Sequence, residues 1–87
     1  MVAAIRVWVV DAEGAEEVWV IPLTRLVRVR WAGSGEEKVL YLTFEDGLIL
    51  RAQDPDGALL EEVNRALEAS GVYAVGGLWT YMWVEGE

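Results

Sequence analysis

The side chains that most often carry out catalysis near neutral pH are scarce in this sequence. It contains no His and no Cys, so the usual general base and the most reactive nucleophile are missing. Without Cys, neither a disulfide nor a thiolate metal site can form. Ser34 is expected in a glycine-flanked loop and Ser70 at a helix end, and the pattern places no base near either. We therefore predict a protein that is not an enzyme and that uses no metal or cofactor.

Carboxylates are the remaining groups that could act as an acid–base pair. Asp54 and Asp56 flank Pro55 directly before an apolar helical pattern, where a helix cap is expected. Glu61 and Glu62 fall on the solvated face of that helix. A structural role explains all four carboxylates. An enzyme that uses them therefore ranks last among three functional hypotheses, behind a protein-interaction module and a binder of single-stranded nucleic acid.

Two short glycine motifs have the composition of binding loops but not their spacing. Residues 33–35, Gly-Ser-Gly, precede two Glu and a strand rather than the Lys and helix start of a phosphate loop. If Gly57 took the sixth position of a calcium loop, Ala52 and Val63 would have to be its first and twelfth ligands, which their side chains cannot be. The first motif therefore predicts a hairpin turn and the second a helix start.

Length and charge limit the classes of protein to which the chain can belong. Eighty-seven residues, 54% of them hydrophobic, predict a single domain spanning 1–87. The net charge of −8 disfavours non-specific binding to nucleic acid or to an anionic membrane. Since neither a leader peptide nor an apolar run of roughly 20 residues is visible, we expect a cytoplasmic protein with no membrane partner. Six of the seven basic residues are Arg, which fits a thermophilic source or a GC-rich genome.

The first 53 residues are predicted to be β structure, because they form short apolar runs rich in Val, Trp and Tyr that Gly or Pro interrupts. The strands are expected near residues 4–10, 16–21, 26–31, 37–44 and 48–53. Residues 72–84 are predicted to be β structure again, either as one long strand or as a hairpin broken at Gly76-Gly77.

One helix is predicted between these two β regions. Asp54-Pro55-Asp56 supplies its start and Gly71 its left-handed stop. The fold class is therefore α+β: an antiparallel, twisted sheet of five to seven strands with one helix packed on one face, in the order β-β-β-β-β-α-β. The stripe that should cover the sheet consists of Leu59, Leu60, Val63, Ala66 and Leu67.

Side-chain parity selects the loop of each hairpin, because a slip of one residue moves every side chain to the opposite face. Between the fourth and fifth strands, a three-residue loop at 45–47 pairs Phe44 with Leu48 and keeps every core candidate on one face. In the first hairpin, parity favours a four-residue loop at 11–14. That register puts Val18 and Val20 on the inner face, with Arg6 opposite Trp19 and Trp8 opposite Glu17.

For the third and fourth strands, a loop at 32–35 places Val27, Val29 and Trp31 on the inner face. It sets Arg30 opposite Glu37 and Arg28 opposite Val39. Lys38 then falls on the core face near the strand end, where its aliphatic stem can lie along apolar surface while its ammonium group reaches water.

These registers collect basic and aromatic side chains on the sheet face away from the helix. Trp, Tyr and Arg are enriched at protein interfaces, and planar rings beside guanidinium groups also suit single-stranded nucleic acid. A third interpretation is a quiet surface on which Arg stems cover exposed rings. Because the chain is acidic, a protein interface is favoured and nucleic acid ranks third. The candidate face consists of Arg6, Trp8, Trp19, Arg28, Arg30, Tyr41 and Arg51.

The aromatic residues of the last β region indicate a second contact surface. One helix cannot cover two largely apolar sheet faces, and in this region Trp79, Tyr81 and Trp83 alternate with Leu78, Thr80, Met82 and Val84. Some of this surface should therefore meet another subunit. We predict a small protein-interaction or regulatory module that forms a homodimer through aromatic sheet surface, with an unidentified protein as a further partner. Binding of single-stranded nucleic acid on the Arg/Trp face is the alternative.

Overall fold

The computed structural model describes residues 3–84 of the chain. Within them, seven strands form one open sheet with a single helix against it, which confirms the predicted α+β class. Two 3-10 turns, Leu23–Arg25 and Gly35–Glu37, each join two strands that are consecutive in the chain. No helix among these residues is both long enough and apolar enough to cross a bilayer. In chain order the elements are β1 (Ala4–Val10), β2 (Glu16–Pro22), β3 (Leu26–Ala32), β4 (Val39–Phe44), β5 (Leu48–Gln53), α1 (Ala58–Glu68), β6 (Val72–Ala74) and β7 (Trp79–Trp83).

The sheet is mostly antiparallel, with the strand order β2-β1-β7-β5-β4-β3. β6 and β7 both run parallel to β1, β6 beside its first half and β7 beside its end. Residues 75–78 separate them, so the last β region is neither one long strand nor a hairpin. β6 and β7 nevertheless run in the same direction, because both pair in parallel with β1.

The two edge strands are consecutive in the chain although they lie at opposite sides of the sheet. Only the turn Leu23–Arg25 joins β2 to β3. The Leu23 N–H donates to the Ala3 carbonyl and the Glu45 N–H donates to the Arg25 carbonyl, both at 2.9 Å. The turn is therefore hydrogen-bonded to the residue before β1, near one edge of the sheet, and to the residue after β4, near the other edge. The sheet must curl to bring these two residues to the same turn.

The β4–β5 hairpin has the predicted register. Leu42 lies opposite Leu50 and Leu40 opposite Ala52. Gly47 has a φ of +92°, and its N–H donates to the Phe44 carbonyl across the three-residue loop. Both strands consequently turn one apolar side toward the helix.

The predicted register of the β1–β2 hairpin is wrong by one residue. Val10 pairs with Glu16 across a five-residue connection, and Val7 faces Trp19. Asp11 causes the longer loop, because its carboxylate accepts hydrogen bonds from the Glu13 and Ala15 N–H groups at 2.9 Å each. The slip exchanges the two faces of β2, so that its valines point away from the helix and Trp19 toward it.

The β3–β4 hairpin keeps its predicted faces but not its predicted partners. Arg30 lies opposite Tyr41 rather than Glu37, and Arg28 lies opposite Thr43 rather than Val39. The connection runs over residues 33–38 and includes the Gly35–Glu37 turn, so the pairing shifts by four residues, and an even shift preserves side-chain parity. Val27 is the exception, since a bulge between Leu26 and Arg28 leaves its side chain exposed.

Helix α1 lies on the inner sheet face and begins later than Asp54 itself. Gly57, with a φ of +81°, is its N-terminal boundary residue. The buried Asp54 carboxylate reaches forward and accepts the N–H groups of Leu59 and Leu60 at 2.9 Å each. It thereby satisfies two of the free donors that every helix start presents. The core between helix and sheet consists of Ile5, Val7, Val9, Leu23, Leu40, Leu42, Phe44, Leu48, Leu50, Ala52, Leu59, Val63, Ala66, Val75 and Trp79.

Candidate interaction surface

The sheet face opposite α1, here called the outer face, can be traced strand by strand from the pairing. Residues that are direct partners share a face. One row of partners therefore crosses the whole sheet on this side: Arg30, Tyr41, Arg51, Thr80, Val10 and Glu16. Arg6 and Trp8 alternate with the buried residues of β1. Arg28 lies opposite Thr43 and two residues before Arg30 on β3, so it shares the same face. Six of the seven residues predicted for the candidate face are thus on one face of the sheet.

Trp19 is the seventh and lies on the inner side. Its ring packs against Tyr81 with 4.9 Å between the ring centroids. Its indole N–H donates to Glu17 at 2.8 Å, so Glu17 also leaves the face to which the sequence assigned it. Trp19 was misplaced because Val18, Trp19, Val20 and Ile21 are all apolar, and parity alone cannot orient such a run.

The part of the outer face formed by β1 and β2 is apolar and exposed. Trp8 and Val18 are direct partners, and Val20 lies opposite Arg6. Their side chains are 37%, 53% and 56% exposed, respectively. We call Trp8, Val18 and Val20 the apolar patch; the exposed Val72 of β6 lies across β1 from it.

The part of the outer face formed by β3, β4 and β5 is basic. We call Arg28, Arg30, Tyr41 and Arg51 the arginine patch. The Arg30 guanidinium lies over the Tyr41 ring, 4.3 Å from its centroid. Arg51 donates from Nε to the Thr80 hydroxyl at 3.3 Å. All three Arg side chains are exposed, whereas Tyr41 is half-buried.

The charge on the outer face is opposite in sign to that of the whole chain. Among the strands in residues 3–84, Glu16 is the only acidic residue that points outward. The acids in the rest of this range lie in loops, on α1, or on the inner side. The ion pair found among residues 3–84 is Arg65–Glu61 on α1. No carboxylate of these residues therefore comes within 4.0 Å of an arginine on the outer face.

The closing strand β7 supplies less surface than its sequence suggests. Trp79 is fully buried and donates its indole N–H to the Gly76 carbonyl, so it has no surface to offer a partner. Tyr81 is half-buried under Trp19. Trp83 is 55% exposed and borders a mostly apolar groove of about 400 Å³. The groove is lined by Trp19, Val20, Ile21, Pro22, Arg25, Phe44, Asp46, Leu48 and Trp83.

The polar groups of the inner side have structural partners. Asp54 holds the start of α1, and its carbonyl accepts the Trp31 indole N–H at 2.8 Å. Glu62 accepts the Gly76 N–H at 3.0 Å and so ties α1 to the break between β6 and β7. Lys38 places its ammonium group 4.0 Å from the centre of the Trp31 ring. Within residues 3–84, no three acidic side chains meet in a group that could hold a metal ion.

Val18 and Val20 are the surface residues that the sequence analysis missed. The sequence did contain a sign of the β1–β2 register. Asp is a common first residue of a turn closed by its own carboxylate, and such a turn at Asp11 lengthens the loop. Thr80, which orients Arg51, is 29 residues from it in the chain and could be found only from the pairing of β5 with β7.

Comparison with known proteins identifies no relative from which a function could be inferred. No protein-family model matches the chain, and no curated protein or solved structure matches it either.

Proposed function

We propose that the protein is a small, non-enzymatic interaction module that forms a homodimer through the apolar patch of its outer face. One observation carries the proposal: Trp8, Val18 and Val20 are exposed side by side on a sheet face that α1 does not cover. Monomeric proteins seldom leave large contiguous apolar patches uncovered. A second copy of the same surface is a matching partner, because a two-fold contact is complementary to itself and closes the assembly.

The size of the molecule is sufficient for such a contact. A specific interface buries about 800 Å² on each partner, which is roughly a seventh of the 5588 Å² accessible surface of this chain. The apolar patch would form the centre of the contact, where aromatic and aliphatic residues contribute most of the binding energy. Arg6 and Val72, on either side of it, would belong to the surrounding rim.

Charge opposes association but does not prevent it. Each chain carries −8, so a dimer carries −16, and this repulsion must be kept away from the contact. Glu16 is the only outward acid on the strands of residues 3–84, and it lies at the far end of β2 from Val20. Salt screens the remaining repulsion between chains, whereas apolar burial is not weakened by moderate salt. Association should therefore strengthen with salt.

Light scattering after gel filtration tests the proposal directly. At micromolar protein and moderate salt we expect a mass twice the 9.7 kDa of one chain, and a smaller dimer fraction at low salt. A mass of one chain under both conditions would contradict self-association.

Binding of single-stranded nucleic acid is less well supported than association with protein. Nucleic-acid bases need free ring faces on which to stack. Trp19 is on the inner side, and one face of Tyr41 is covered by Arg30. Trp8 is then the exposed ring that remains of the three on the predicted face, and the net charge of −8 repels a polyanion at long range.

A further inference from the structure

We propose that the arginine patch binds an extended acidic segment of a partner protein, one in which carboxylate side chains recur at every second residue. The site is separate from the apolar patch, because β7 lies between β5, the nearest strand of the arginine patch, and β1. It does not depend on whether the protein dimerises.

Charge complementarity identifies the chemistry of the partner. Arg28, Arg30 and Arg51 are exposed on one face, and no carboxylate of residues 3–84 lies within 4.0 Å of them. The chain has 15 acidic residues against 7 basic ones, yet the neighbours of these arginines on the outer face are uncharged. These neighbours are Val39, Thr43, Ile49, Gln53 and Thr80.

Two of the three guanidinium groups, those of Arg30 and Arg51, are held in place before a partner binds. Arg30 is held over the Tyr41 ring at 4.3 Å, and Arg51 is held by its Nε–H to Thr80. Neither contact uses the terminal N–H groups, which can grip a carboxylate with two parallel hydrogen bonds. Side chains that are already oriented lose less conformational entropy on binding.

The spacing of Arg28 and Arg30 matches an extended chain, and Arg51 lies to one side of their line. Arg28 and Arg30 are two residues apart on β3, so their Cα atoms are about 6.7 Å apart, as are same-side residues in any extended segment. Arg51 lies two strands away in the row of Arg30, about 10 Å across the sheet. It stands at a cavity of about 600 Å³ whose other lining residues are Val39, Ala52, Gln53, Leu78 and Thr80. A third acidic side chain can enter there.

Two peptides of identical composition provide the probes. In one, eight residues alternate between glutamate and threonine; in the other, all the glutamates come first. Fluorescence anisotropy with a dye-labelled peptide would measure binding at low and moderate salt. We expect the alternating peptide to bind at least about fivefold more tightly than the block peptide, and more weakly as salt rises.

Four single variants locate the site. We expect each of Arg28→Gln, Arg30→Gln and Arg51→Gln to weaken peptide binding about tenfold, because each removes charged hydrogen bonds to a carboxylate. Arg65→Gln on α1 removes the same charge from the other side of the molecule and should change affinity less than about twofold. Circular dichroism of each variant verifies that it is folded.

Three results would overturn the proposal. The first is no binding of either peptide at low salt with millimolar protein. The second is an equal loss of affinity in Arg65→Gln and in the three patch variants, which would mean that charge acts without a site. The third is tighter binding of single-stranded oligo(dT) than of the alternating peptide, which would assign the patch to nucleic acid. A monomeric mass in light scattering would leave all three comparisons intact.

Discussion

Trp8 and Val18 are direct partners across the β1–β2 ladder, and both side chains point to the outer face of the sheet. An aromatic residue opposite a β-branched one stabilises a strand pair by about 0.2–1 kcal/mol. The contact therefore helps to hold β2, an edge strand with no neighbour on its other side within residues 3–84. Because both side chains remain exposed, the same pair can also form the centre of a contact with a second chain.

Gly47 should be sensitive to any side chain for two reasons. Its φ of +92° is unfavourable for other residues, and an added Cβ would overlap the Val84 carbonyl oxygen. Gly14, with a φ of +87° and nothing within 4 Å of such a Cβ, isolates the first effect. We expect Gly14→Ala to lower the free energy of unfolding by about 1 kcal/mol and Gly47→Ala to lower it by at least twice as much. Urea unfolding monitored by Trp fluorescence measures both, and equal losses would exclude the close approach of Val84.

Asp54 should stabilise the protein more than its exposed neighbour Asp56. Truncating Asp54 leaves the Leu59 and Leu60 N–H groups without their acceptor in a buried setting, at a cost of about 2–3 kcal/mol. Asp56 accepts one longer bond, 3.2 Å from the Ala58 N–H, in an exposed position. Its replacement by Ala should cost about 1 kcal/mol or less. If thermal unfolding gives Asp54→Ala the smaller effect, α1 does not begin as described.

Glu62 and Glu61 are adjacent on α1 but should differ in importance. Glu62 accepts the Gly76 N–H at 3.0 Å and joins the helix to the β6–β7 break, so Glu62→Ala should cost about 1–1.5 kcal/mol. Glu61 makes an exposed pair with Arg65 at 3.9 Å, which contributes little. Both substitutions change helix propensity equally. Hydrogen exchange should also show a faster Gly76 amide in Glu62→Ala alone, and an unchanged rate would argue against this tie.

Local patterns were enough to predict some elements and not others. The β4–β5 hairpin could be predicted because Leu40, Leu42 and Leu50 share one face with a three-residue loop, whereas a two-residue loop would mix the faces. The β1–β2 register could not, because Trp19 and Val20 are both apolar and either could face the helix. Placing β7 between β1 and β5 depends on long-range pairing that no local spacing encodes.

The candidate surface was predictable to a similar extent. Arg28 and Arg30 keep their predicted face because the pairing of the β3–β4 hairpin shifted by four residues, an even number. The register of the β1–β2 hairpin shifted by one residue, an odd number. Trp19 therefore lies on the inner face, and Val18 and Val20 lie on the outer face. The role of Trp79 was misjudged because the β6–β7 break turns its indole into the core, where Gly76 accepts its N–H.

Val20 and Val27 form a matched pair for the central proposal, because both are valines on edge strands and their exposures are 56% and 58%. Val20 belongs to the apolar patch, whereas Val27 sits at the bulge of β3. A carboxylate at position 20 would be buried without a partner in the proposed dimer, and we expect a cost of about 3 kcal/mol, or roughly a hundredfold weaker association. Sedimentation equilibrium at micromolar protein and moderate salt should therefore give the mass of a dimer for the natural chain and for Val27→Glu, and 9.7 kDa for Val20→Glu. A natural chain that sediments as a monomer, or a Val20→Glu variant as dimeric as Val27→Glu, would contradict association through this patch.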